Sequence, residues 1–139
     1  NMKNALYKFI IFLSSILLFT ACSLEKEPTF TIIGTWGMVS GTISMSDGTT
    51  TRYEELSAGE YYEILEYKTD GTLVKTFSVE EYGVYTFNNI TNELSYKYDG
   101  EKYYRPATVQ VIDYDEIIVT TDYGVDVGRI TQYFVRLLD

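Results

Sequence analysis

Residues 61–78 read Tyr-Tyr-Glu-Ile-Leu-Glu-Tyr-Lys-Thr-Asp-Gly-Thr-Leu-Val-Lys-Thr-Phe-Ser. Leu65 and Tyr67 share a face with Tyr61, opposite Glu66 and Lys68. That two-residue period is the pattern of a strand with one dry side and one wet side. Thr69-Asp70-Gly71-Thr72 then interrupts it with Asp-Gly, a pair that accepts the positive φ of a tight hairpin turn. The stretch predicts two antiparallel strands, 61–68 and 72–78, joined by a short turn.

The same grammar repeats in both directions. Asp-Gly recurs in Ser46-Asp47-Gly48-Thr49 and Tyr98-Asp99-Gly100-Glu101, and further turns are expected at Asn88–Asn92 and Asp113-Tyr114-Asp115. Between them lie candidate strands at 33–45, 50–55, 82–88, 93–98, 102–112, 116–121 and 129–137. Leu94, Tyr96 and Tyr98 alternate with Ser95, Lys97 and Asp99, and Val109 and Val111 with Thr108 and Gln110. Ile117 and Val119 follow Glu116 in the same rhythm. Tyr133, Val135 and Leu137 alternate with Gln132 and Arg136, with Phe134 interrupting. Gly41, inside the first long strand, predicts a bulge or sharp bend. No stretch carries apolar residues at helical spacing, and Thr, Val, Ile, Tyr and Phe dominate, the residues that suit a pleated, half-buried surface. The fold class is therefore all-β, an antiparallel up-and-down meander of eight or nine strands. Closing it into a barrel removes the two exposed edges that an open meander would keep; an open β-sandwich is the alternative.

The first 21 residues differ in texture. Lys3 and Lys8 precede Phe9–Phe19, an apolar run of eleven residues. A membrane-spanning helix needs about 20, so this is the pattern of a cleaved secretory leader. Leu18-Phe19-Thr20-Ala21-Cys22 resembles a lipobox, the recognition site of bacterial lipoprotein signal peptidase. The resemblance implies cleavage before Cys22 and lipidation of that residue, the single cysteine of the chain. Residues 22–29 then form a lipidated cysteine and polar tether, and 30–139 one domain. Losing the two leader lysines takes the formal net charge from −9 for the 139 residues to −11 for the remaining 118 (139 less 21). Such a surface repels nucleic-acid phosphates, so the partners expected are the membrane through the acyl chains, and a small apolar ligand or an envelope protein or glycan. The expected location is the cell envelope, with the lipid in the outer membrane, facing the cell surface in one version.

Ile33-Gly34-Thr35-Trp36 opens the first strand, Tyr67 precedes the Thr69–Thr72 hairpin, Gly83-Val84-Tyr85-Thr86-Phe87 forms a middle strand, and Tyr133-Phe134-Val135-Arg136-Leu137 ends the chain. Together these resemble the lipocalin-like domain of small bacterial envelope lipoproteins. The resemblance implies a barrel closed at one end by Trp36, with Gly34 admitting a close backbone approach and Arg136 lying across the indole. It also implies a binding rather than catalytic role.

Chemistry is limited by composition. The chain has no histidine, which excludes Ser-His-Asp and Cys-His nucleophiles and histidine metal sites. Glu54, Glu55, Glu60, Glu63 and Glu66, with Glu80 and Glu81, read as a solvated acidic face. Asp113, Asp115, Glu116, Asp122 and Asp126 lack the spacing of a calcium loop. No cofactor, metal or catalytic residue is expected. Thirteen of the 14 tyrosines lie beyond the leader. Of the pairs Tyr61-Tyr62 and Tyr103-Tyr104, one member each is expected outside, because strand neighbours face opposite ways. Candidate lining residues for a ligand are Trp36, Leu65, Tyr67, Tyr85, Phe87, Leu94, Tyr96, Val109, Val111, Ile117, Val119, Tyr133 and Val135, which serve equally as a core. A non-enzymatic binding protein for an apolar or amphipathic molecule is the first expectation. A filled barrel that contacts a protein or glycan through exposed tyrosines is the second.

Overall fold

The computed structural model describes residues 29–138. The leader and Cys22 lie outside the described residues. Nine strands form one antiparallel sheet: β1 (Gly34–Met45), β2 (Thr50–Tyr53), β3 (Ile64–Tyr67), β4 (Thr72–Thr76), β5 (Glu80–Asn88), β6 (Glu93–Tyr98), β7 (Arg105–Asp113), β8 (Glu116–Asp122) and β9 (Gly128–Leu137). No helix occurs among the described residues. Each expected strand is present; β6 has the expected ends and the other strands are shifted at one or both ends.

Sequential hairpins link β3 to β9, and β9 returns to pair with β1 from Thr35↔Leu137 to Met45↔Gly128. The sheet is thus a closed eight-stranded barrel, with β2 as a ninth, additional strand. The barrel is realised and the open sandwich is not. One edge of β1 belongs to β9. The other edge is shared: Gly34–Gly37 pair with β3, and Gly41–Ser44 with β2. Between β2 and β3 the polar segment 54–63 leaves the ladder, yet it stays tied to β1. Leu56 N–H donates to the Val39 carbonyl (3.0 Å) and Tyr62 N–H to that of Met38 (2.9 Å).

The expected irregularity in β1 exists and falls just before Gly41. The register with β9 slips between Met38 and Ser40, so Val39 is an extra residue. The slip keeps Trp36, Met38, Gly41 and Ile43 on the inner face despite their uneven spacing. A Cβ on Gly41 would lie 2.7 Å from Met38 Cε and 2.8 Å from the Thr131 carbonyl oxygen, so glycine is what lets β1 bend against β9 here.

The turns are held by the residues the sequence supplies. The Asp47 carboxylate accepts the Thr49 N–H (2.8 Å) and Asp70 that of Thr72 (2.9 Å). These bonds hold both carboxyls below the usual carboxylate range. Asn88 Oδ1 caps Ile90 and Thr91, and Asn92 takes φ +59°.

The core runs through the barrel from Ile32 and Trp36 by way of Leu65, Tyr67, Leu73, Leu94, Tyr96, Ala107, Val109, Ile117 and Val119 to Phe134. Alternation placed most of these correctly. The last strand is the exception. Phe134 is buried, while Tyr133 and Val135 are on the outer face, beside Ser40, Thr42 and Ile118 for Tyr133. The inner face of β9 is Ile130, Gln132, Phe134 and Arg136. Two of these are polar, so the apolar-in, polar-out rule selects the wrong face. Tyr133 donates instead to the Glu116 carboxylate on the neighbouring strand, and its hydroxyl is pushed up to about 12 by partial burial and by that carboxylate.

Candidate functional site

The two ends of the barrel differ. The chain enters at one end over residues 30–33. Trp36 is fully buried there, and its indole N–H donates to the Ile32 carbonyl (2.8 Å). Phe30 packs 6.3 Å from Trp36 and 6.2 Å from Phe87, ring centre to ring centre. Arg136 lies between two rings, with its guanidinium carbon 4.2 Å from the centroids of both Trp36 and Tyr114. Its nitrogens donate to the carbonyls of Tyr114 (2.9 and 3.1 Å), Ile33 (2.9 Å) and Thr31 (2.7 Å). Gly34 has φ +136°, and a Cβ there would sit 2.7 Å from Arg136 Nη1. At this end Gly34 leaves room for Arg136, the Trp36 indole is buried and the guanidinium lies over it.

Beyond the layer of Leu65, Tyr67, Leu73, Tyr96 and Val119 the barrel is not filled. A cavity of about 400 Å³ continues toward the opposite end, within the range of roughly 300–1,000 Å³ typical of small-molecule sites. Its mouth lies among Ile43, Tyr53, Tyr62, Phe77, Val79, Tyr123 and Ile130, of which Phe77 and Val79 are exposed. Tyr53 and Tyr62 meet edge to face at 5.2 Å, and Tyr62 donates to the Glu54 carbonyl (2.6 Å).

The expected lining residues divide three ways. Leu65, Tyr67, Tyr96 and Val119 line the cavity. Trp36, Leu94, Val109 and Ile117 point inward but belong to the packed end, with Tyr85, Phe87 and Val111 half-buried against them. Tyr133 and Val135 take no part, being outside. Tyr61 also departs from expectation. It precedes β3, and its ring lies over Gly37, where a Cβ would fall 2.3 Å from Tyr61 Cδ1. Tyr62 lines the mouth in its stead. Tyr103 and Tyr104 are both exposed, because they sit in the loop before β7 and strand alternation does not apply to them.

What the sequence reading missed is the polar half of the wall. Glu63, placed with a solvated acidic face, lines the cavity. Gln132 Nε2 donates to its Oε1 (2.8 Å) and also approaches Met38 Sδ (3.2 Å). Burial pushes the Glu63 carboxyl up, while the Gln132 bond and the charge of Lys75 act the other way and Glu81 adds to the rise. Lys75 pairs with Glu81 (3.3 Å) and lies 4.6 Å from the Tyr98 ring centre. Arg105 pairs with Glu101 (2.6 Å) and donates to the Tyr123 hydroxyl oxygen (3.3 Å). Burial also pushes the Tyr67, Tyr96 and Tyr98 hydroxyls well up, so they stay neutral hydrogen-bonding groups. One signal for Glu63 was available: it has the parity of Leu65 and Tyr67.

The carboxylates considered for calcium are divided between the ends of the barrel. Asp113, Asp115 and Glu116 flank the β7–β8 turn, and Asp122 and Asp126 the β8–β9 turn. Among the described residues no group of three or more possible ligands comes together. On the outer surface a wide, shallow groove crosses β5 to β8 past Thr86, Ser95, Pro106, Thr108 and Thr120; it is open to solvent and mixed in character. Comparison with protein-family models gives no match for this chain, and none of the curated proteins matches it.

Proposed function

We propose that this chain is a non-enzymatic, lipid-anchored binding protein of the bacterial envelope, a lipocalin-like barrel that holds a small apolar or amphipathic ligand. The cavity carries the reading: it is enclosed by the strands, blocked at one end by Trp36 and Arg136, and reached from the other. Its wall mixes aliphatic and tyrosine surface with a few polar groups, as sites for small molecules do. Leu18–Cys22 supports the anchor. Two or more acyl chains on that cysteine would hold the protein stably, where one chain is marginal.

Native mass spectrometry of the full chain, extracted from its own host, tests the binding role. A small molecule released on collisional activation is the expected result. A bare protein that also takes up no added apolar compound overturns it. For the anchor, Cys22→Ser moves the protein out of the membrane fraction; retention there overturns that part alone. The alternative, a module recognising a protein or glycan through tyrosines, draws on Tyr103 and Tyr104, both exposed in the loop between β6 and β7. It requires partner capture that is lost in the double alanine variant of those two residues.

A further inference from the structure

Two carboxylates, Glu63 and Glu81, and two cations, Lys75 and Arg105, line the cavity, and Glu101, which is not part of the lining, pairs with Arg105. Glu81 holds Lys75. Glu63 has no cation within 4 Å among the described residues; its hydrogen bond there comes from the neutral amide of Gln132. A carboxylate taken out of water is costly unless it is paired and hydrogen-bonded. Tyr62, Tyr67 and Tyr98 line the same cavity, and ring faces attract cations. Lys75 already uses the Tyr98 ring in this way.

Resting on the cavity reading, we propose that the ligand is an organic cation, a protonated amine carried on an apolar or aromatic body. The ammonium group donates to Glu63, and the body lies against Leu65, Leu73 and Val119 below it. The two cavity cations make a carboxylate ligand the poorer fit, because binding one would require Lys75 or Arg105 to leave the partner it has.

A matched series separates charge from fit: phenylbutylamine, phenylbutanol and phenylbutanoate, by equilibrium dialysis against the full chain in lipid nanodiscs, with empty nanodiscs as blank. The amine is expected to bind about tenfold or more tighter than the alcohol, the gain of one charge-assisted hydrogen bond, with the carboxylate weakest. In Glu63→Gln the amine falls to the affinity of the alcohol. In Lys75→Gln, where a competing positive charge is removed, the amine binds tighter than to the natural chain. A carboxylate bound as well as the amine overturns the inference, as does an amine advantage that survives Glu63→Gln. If Glu63→Gln loses all three ligands through misfolding, Lys75→Gln decides: weaker amine binding there overturns the inference. Alcohol binding without an amine advantage sinks the charge assignment and leaves the cavity reading standing. No binding of any of the three sinks both.

Discussion

At the blocked end Arg136 divides its guanidinium among three carbonyls and two rings, and its side chain is 9% exposed. At the open end Glu63, equally part of the wall, holds one amide and faces a cavity. The same strands supply both: β9 carries Arg136 into one end and Gln132 toward the other, and β3 starts immediately after Glu63 beside the cavity and ends at Tyr67 in the packed layer. Saturated polar groups around a buried ring make a plug. Polar groups beside unfilled apolar surface line a cavity. The comparison teaches that buried charge has to be judged by its partners: Arg136 is spread over carbonyls and rings packed around it, whereas Glu63 has the Gln132 amide and borders open volume.

The contrast can be broken from the plug side first. Trp36→Ala removes the largest fully buried side chain and should cost about 3–5 kcal/mol, read as a fall in the urea midpoint. Arg136→Ala strips three carbonyls of a donor and one face of the indole of its cover, at a cost of about 3 kcal/mol. Arg136→Lys should recover little of this, because a single ammonium cannot reproduce a planar fork set between two rings. Gly34→Ala forces a Cβ toward Arg136 at a φ that side chains avoid, costing about 1–3 kcal/mol. The site end should respond with the opposite sign. The Glu63 carboxyl is raised above its ordinary value of 4.5 by burial. The folded state therefore holds its proton more tightly than the unfolded state. That contribution is full below 4.5 and lost as pH rises through the folded value. Glu63→Gln should raise the melting temperature at neutral pH, by less than Gly34→Ala lowers it, and the gain should vanish as pH falls toward 4.5.

Much of this was legible in residues. Asp-Gly pairs fix where the chain turns, and alternation fixes the inner faces of β3, β6, β7 and β8, because in those strands the inward positions are the apolar ones. It fails in β9, where Gln132 and Arg136 point inward for particular partners. Expecting Arg136 over Trp36 while placing Tyr133 and Val135 inside was inconsistent, since residues 133 and 136 cannot share a face of a regular strand; the first expectation was the sounder one. The cavity was not legible. Whether side chains fill a barrel depends on how eight strands bring their inward positions to one level, and Gly41, Glu63, Lys75 and Gln132 meet only after closure. The same holds for Tyr61, whose place over Gly37 follows from the chain leaving the ladder before β3.

The central claim is that the barrel interior beyond the Leu65–Tyr67 layer is a binding site. Methyl-resolved NMR of the protein titrated with phenylbutanol tests it most directly. The account predicts shifts at Leu65, Leu73, Val119 and Ile130, which line the cavity, and none at Val74, Ile118 or Val135 on the outer face. Shifts confined to the outer methyls, or no saturable shift at all, would contradict it.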